Sequence, residues 1–128
     1  MKAIDATFPV DLLKAVPAAV AKSKALDESG EELAIPAPAL AELMVGAHFV
    51  GGAYLEQARA LASQFMVIDI DTAVAHEAGR LGAELRRRGR RMAAADLLIA
   101  AACARNELNL VTRDEAFARV PGLAVEGY

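Results

Sequence analysis

A single cysteine, Cys103, is present in 128 residues. One thiol closes no intrachain disulfide, which excludes a small disulfide-built scaffold, and it cannot furnish a cysteine zinc site either. An intracellular, cytoplasmic setting is expected. Long apolar runs are missing as well: the longest stretch without Asp, Glu, Lys or Arg extends from Leu43 to Leu55, too short to cross a bilayer. Lys2 and Asp5 interrupt any apolar signal segment at the start, so no membrane partner is expected. Excess positive charge is also lacking, and a net charge of −3 argues against a protein that coats nucleic acid through a general positive field. No internal repeat or low-complexity linker breaks the chain.

The composition that remains, 55% hydrophobic and 24% charged with abundant Ala, is that of a helix-rich globular protein. The length predicts one domain, residues 1–128, around one core. Punctuation divides it into alternating elements. "MKAI" reads as a strand closed by Asp5, "PVDLLKAVPAAVAKSKAL" as helix with a break at Pro17, and "ELAI" as a second strand. Pro36 and Pro38 open a further helix, Gly51 and Gly52 punctuate it, and another helix spans 53–64. "FMVIDI" is a third strand. "TAVAHEAGRLGAELRRR" carries Val74, Ala78, Leu81 and Leu85 at helical spacing and stops at Gly89. A helix around Asp96, a strand in "LNLVT", a short helix over 115–118 and an edge strand in "LAVEGY" complete the chain. Strands separated by helices throughout predict the α/β class: a three-layer α/β/α sandwich around a short, mostly parallel sheet of four or five strands.

Within "MAAADLLIAAACA" the only charge is Asp96. An unpaired carboxylate in apolar surroundings is costly, so something must compensate it. In parallel sheets ligands gather at the carboxyl ends of strands, and the acids fall there. Asp5 ends the first strand, Asp114 follows the fourth, Glu42 lies in the helix leaving the second, and Asp96 begins a helix that must descend before the fourth. Glu42 is the only Asp, Glu, Lys or Arg between Leu33 and Leu55. Four carboxylates in contact would hold one another protonated unless divalent cations shared them, and an all-oxygen set favours Mg²⁺ or Mn²⁺ over zinc. Such ions suit phosphoryl chemistry on a phosphate ester. The alternative for each acid is structural: Asp5 and Asp114 are good helix caps, and Asp96 in a first turn satisfies a helix dipole.

Taken together, "AIDAT" (Asp5, Thr7), "PAPALAEL" (Glu42), "AAADLLIAAACA" (Asp96) and "LVTRDEAF" (Thr112, Asp114) resemble PIN-domain ribonucleases, and among these the VapC-type toxins of toxin–antitoxin modules. The similarity runs through nearly the whole chain. It implies a PIN-like fold and an endoribonuclease that hydrolyses RNA with a metal-activated water, Mg²⁺ or Mn²⁺ serving as cofactor. Asp5, Glu42, Asp96 and Asp114 would be the catalytic, metal-binding acids, with Thr7 and Thr112 orienting carboxylates or phosphate. A VapB-type antitoxin and a homodimer are the implied protein partners. Ala6 departs from the hydroxyl residue many relatives carry there. The rival reading is a non-catalytic module of the same fold, binding RNA or protein over a vestigial acidic pocket.

Two other features call for interpretation. Arg86, Arg87, Arg88, Arg90 and Arg91 form "RRRGRR", either a solvated helix end or a cationic strip that draws RNA phosphates toward an acidic pocket. "DIDTA" (Asp69, Asp71) imitates the start of haloacid-dehalogenase-type phosphatases, but Ala73 stands where that motif needs Thr or Val. Asp69 and Asp71 are therefore expected to end a strand and start a helix, with Asp71 near the metal edge. The helix starting there is expected to leave from the same carboxyl edge as the others.

Overall fold

Four of the five strands are short apolar segments bounded by turn residues or Pro, and the sheet they form sets out the rest of the molecule. In the computed structural model, which describes residues 1–128, these are β1 (Lys2–Ile4), β2 (Leu33–Pro36), β3 (Met66–Ile68) and β4 (Leu110–Val111), with β5 (Val125–Glu126) last. All pairings are parallel and the order is β3-β2-β1-β4-β5. Ala3 pairs with Ala34 on one side and Leu110 on the other. Successive strand residues point to opposite faces. Since Ala3, Ile4, Ala34, Ile35, Leu110 and Val111 are all fully buried, both faces are covered, as expected of a parallel sheet.

Six helices supply that cover: α1 (Thr7–Leu13), α2 (Pro17–Glu28), α3 (Ala37–Val50), α4 (Gly52–Ala62), α5 (Thr72–Arg87) and α6 (Ala94–Arg105). Pro17 and Pro38 occupy first turns, where a missing N–H costs nothing. Gly51, with φ of 72°, makes the corner between α3 and α4 that a side chain would strain. Asp71 caps α5 by accepting from the Val74 N–H at 2.9 Å. Along α5 the predicted stripe of Val74, Ala78, Leu81 and Leu85 is the buried face. α6 is different: Ile99, Ala100, Ala101, Ala102 and Cys103 are buried consecutively, so it is enclosed on most sides. No helix is long and apolar enough to cross a membrane.

The strand order opens a crevice at one edge of the sheet. The chain lays β2 and β3 on one side of β1 and then crosses to place β4 and β5 on the other. Where the direction of winding reverses, between β1 and β4, the connections diverge and leave a gap beyond the carboxyl ends. Asp5 follows β1 there, and Thr112 to Asp114 follow β4.

Two expectations are corrected. The third strand is three residues, not six, and it lies at the sheet edge with Met66 and Val67 exposed. Asp69 to Asp71 follow it outside any strand, and Asp71 caps the helix that comes next. α5 does not depart from the carboxyl edge. Asp71 and Val74 border one cavity with Arg105 and Asn106, at the far end of α6. α5 therefore climbs while α6 descends, and Gly82 meets Leu97 where the two pack. The arginine turn joins them at the edge where Asp96 begins α6, and Asp71 stands at the opposite end as a cap.

Candidate active site

Asp5 is the anchor of the crevice, with 4% of its surface exposed. Three bonds hold it. Its Oδ1 accepts from the Thr7 hydroxyl at 2.6 Å and the Thr7 N–H at 3.1 Å, and its Oδ2 accepts from the Thr112 hydroxyl at 2.6 Å. Thr112 Oγ1 in turn accepts from the Asp114 N–H at 2.9 Å and lies 3.4 Å from Thr7 Oγ1. One buried hydroxyl thus ties the loop after β4 to the acid after β1. Asp114 uses Oδ1 to cap the 3-10 helix Glu115–Arg119, accepting from the Ala116 N–H at 3.0 Å. The capping role anticipated for Asp114 is real, and it leaves Oδ2 without a bond inside the chain.

Glu42 and Asp96 complete the set differently. Glu42 is exposed on the second turn of α3, Asp96 is half-buried in the first turn of α6, and neither carboxylate makes a hydrogen bond within the chain. Electrostatically they belong with Asp5. Burial pushes Asp5 above the usual carboxylate range, the Thr112 and Thr7 hydrogen bonds pull it back in part, and the Asp114 charge adds to the rise. Asp96 is raised by desolvation, then by Asp114 and Asp5. Glu42 is raised by desolvation, then by Asp96 and Asp5. No basic side chain is among the leading influences on any of the three. The four predicted acids therefore share one field, yet no three acid, His or Cys side chains are gathered tightly enough to hold a metal ion. Two are fixed by hydrogen bonds and two are unrestrained.

His48 and His76 are exposed and apart from this crevice. Cys103 is a small core residue whose thiol is pushed up to about 12, first by burial and then by Asp5. Of the predicted arginines only Arg88 has an ion partner, Glu84 at 2.9 Å.

A cluster beside the crevice escaped sequence reasoning. Asp11, 3% exposed, accepts from Arg113 Nε at 2.5 Å, from Arg113 Nη2 at 3.3 Å and from the Tyr128 hydroxyl at 2.8 Å. Tyr128 also reaches Thr7 Oγ1 at 3.5 Å and packs edge-on against Phe8, ring centroids 5.2 Å apart. The Arg113 guanidinium holds Asp11 below the usual carboxylate range. A signal existed: Asp11 is a lone charge in "FPVDLL", just as Asp96 is in its own segment.

With this geometry in place, comparison with known proteins gives a consistent result. The PIN domain family model matches residues 2–123. No curated protein matches. Among solved structures, the DNA-bound VapBC of Salmonella typhimurium shares 28% identity and a TM-score of 0.80, covering 99% of this chain and 98% of that one. VapBC-5 of Mycobacterium tuberculosis, a member of the VapBC family of toxin–antitoxin systems, shares 32% identity at a TM-score of 0.62, covering 74% and 79%. VapBC2 of Rickettsia felis, bound to a DNA fragment from its promoter, shares the fold at a TM-score of 0.86 with 23% identity, covering 99% and 98%. The chain belongs to the PIN-domain family and is of the VapC type.

Proposed function

We propose that this protein is the toxin of a toxin–antitoxin pair, an endoribonuclease that hydrolyses RNA phosphodiester bonds with Mg²⁺ or Mn²⁺ held by Asp5, Glu42, Asp96 and Asp114. The observation that carries this reading is that burial raises Asp5, Glu42 and Asp96 together and neighbouring carboxylates add to it, Asp114 acting on Asp5, Asp114 and Asp5 on Asp96, and Asp96 and Asp5 on Glu42. Carboxylate oxygens arranged this way suit a hard divalent cation. Bound there, the ion supplies activation of water and neutralisation of charge on the phosphate oxygens.

The chain's own groups prepare the site. Thr7 and Thr112 grip both oxygens of Asp5 and fix its orientation, and Thr112 holds the Asp114 backbone against it. Asp114 keeps one oxygen for its helix cap and turns the other free. Glu42 and Asp96, unbonded, have the freedom to close on a cation. Arg86, Arg87, Arg88, Arg90 and Arg91 lie at the edge where α6 starts, suited to drawing the RNA backbone toward the acids. A VapB-type antitoxin is the regulatory partner this reading expects, as in the VapBC structures that share the fold. Homodimerisation through α3 is supported by Val45, Phe49 and Val50, exposed at 72%, 91% and 64%. Val45 and Phe49 stand four residues apart on one helix face. Phe49→Glu is expected to convert a dimer into monomers in light scattering.

The decisive experiment incubates the purified protein, free of antitoxin, with structured and single-stranded RNAs in Mn²⁺ and in EDTA. Cleavage is expected only with the metal, and Asp96→Asn is expected to abolish it while melting no lower than the parent. The absence of a closed acid cluster favours a second reading, a binding module without catalysis. Intact RNA across a broad substrate panel in Mn²⁺ selects that reading and overturns the first.

A further inference from the structure

Arg90, Arg91 and Arg119 come from two separate segments and surround one cavity of about 220 Å³. Each is exposed, and none makes an ion pair with any carboxylate of the chain. Three guanidiniums facing one space repel one another, and although the chain carries 17 acidic residues and a net charge of −3, no carboxylate pairs with them. The backbone that presents two of them is pinned. Gly89, at φ of 74°, closes α5: its N–H donates to the Arg86 carbonyl at 3.0 Å, and the Arg90 N–H donates to the Leu85 carbonyl at 2.9 Å. That pairing satisfies the helix end and fixes the direction in which the chain leaves it.

The position is as telling as the charge. Ala116 forms part of the cavity wall, and its N–H donates to the capping Asp114 carboxylate. Met92 and Arg91 form a wall shared with a second, larger cavity of about 520 Å³, bordered by Arg86 and by Leu97, the neighbour of Asp96. The two cavities therefore flank the start of α6, one beside Asp114 and the other beside Asp96.

We propose that Arg90, Arg91 and Arg119 form a subsite for a non-scissile phosphodiester group of the substrate RNA. The chain of the substrate passes across Met92, which offers an adaptable apolar surface to a base or ribose, and the arginines hold the backbone one position from the acids. Arg88 does not border this cavity and is not part of the subsite. This inference rests on the nuclease reading, whereas Arg119 lies outside the arginine run and joins it only through the fold.

Fluorescence anisotropy with a labelled single-stranded RNA oligonucleotide in EDTA tests it without requiring cleavage. Arg119→Gln is expected to weaken binding about five- to tenfold and to lower the slope of log K against log[salt] by about 0.7, the value for one phosphate contact on a single strand. Arg105→Gln, which removes the same charge at the far end of α6, is the control and is expected to leave both nearly unchanged. Arg119→Lys keeps the charge and is expected to keep the slope while losing part of the affinity, and thermal melts confirm that each variant is folded. Equal behaviour of Arg119→Gln and Arg105→Gln overturns the subsite, as does loss of binding to the antitoxin with RNA binding intact. Tight RNA binding that depends on Arg119 in a protein inactive with Mn²⁺ supports the subsite and refutes only the catalytic reading.

Discussion

Thr112→Val is the substitution that most directly tests how the crevice is held together. Thr112 is 2% exposed, and the hydroxyl the substitution removes donates to Asp5 Oδ2 at 2.6 Å and accepts from the Asp114 N–H at 2.9 Å. A hydrogen bond to an ionised carboxylate is worth about 1.5–3 kcal/mol, and losing it leaves a buried oxygen with no donor. The Asp114 N–H belongs to a half-exposed residue, so water takes over much of that bond. The net expectation is a loss of about 2–3 kcal/mol near neutral pH in EDTA. For 128 residues the unfolding entropy is about 0.27 kcal/mol per kelvin, which converts the loss to about 7–11 °C in Tm. Thr112→Ser keeps the hydroxyl and loses only a methyl group, worth about 1 kcal/mol or about 4 °C. Differential scanning calorimetry of the two variants beside the parent measures both. If valine costs no more than serine, the hydroxyl does not hold Asp5, and the account of the crevice as a braced carboxylate is wrong.

Other outcomes rest on the same geometry. Glu126 is drawn down to about 2 by Lys2 Nζ, 2.8 Å from each of its oxygens, by Asn109 at 3.1 Å, and by Lys22 at 3.2 Å. A depressed carboxylate stabilises the fold above its unfolded value near 4.5 and ceases to as pH falls toward 2, so the stability lost on acidification should be smaller in Glu126→Gln. With the carboxylate a quarter exposed, the difference in urea unfolding free energy between the parent and Glu126→Gln is expected to shrink by about 1–2 kcal/mol across that window; a constant difference contradicts the assignment. On α5, a Cβ at Gly79 meets nothing within 4 Å, whereas one at Gly82 comes within 2.9 Å of Leu97 Cδ1. Gly79→Ala should therefore gain about 1 kcal/mol of helix propensity, and Gly82→Ala should lose most or all of that gain in displacing Leu97. Equal gains in Tm would show that α5 and α6 pack less closely than described.

Much of the site was legible because carboxylates in apolar contexts are expensive wherever they occur. Asp5, Asp96 and Asp114 stand out against short apolar segments, and the parallel alternation of elements says at which end of the sheet they emerge. What the sequence hid was the direction of α5. A strand that reads as six residues in "FMVIDI" implies a helix leaving from its upper end, whereas β3 ends early and Asp71 borders a cavity beside the far end of α6. That reversal depends on where β3 stops pairing with β2, at Pro36 with Ile68, a long-range contact that no local pattern encodes.

The reversal also decides where the arginines stand. Had α5 descended from the carboxyl edge, "RRRGRR" would have finished at the opposite end of the molecule from the acids. Because α5 ascends, its cationic end is delivered to the edge where Asp96 opens α6, and Gly89 turns the chain so that Arg90 and Arg91 meet Arg119 beside Ala116. The oversight at Asp11 has a different origin. A lone carboxylate in an apolar segment demands compensation, but the demand does not name the compensator: a guanidinium from residue 113 and a phenol from residue 128 answer it at Asp11, while at Asp96 no cation of the chain does. That difference separates an acid partnered within the chain from one that is not, and it is visible only once the fold has shown which charges find partners.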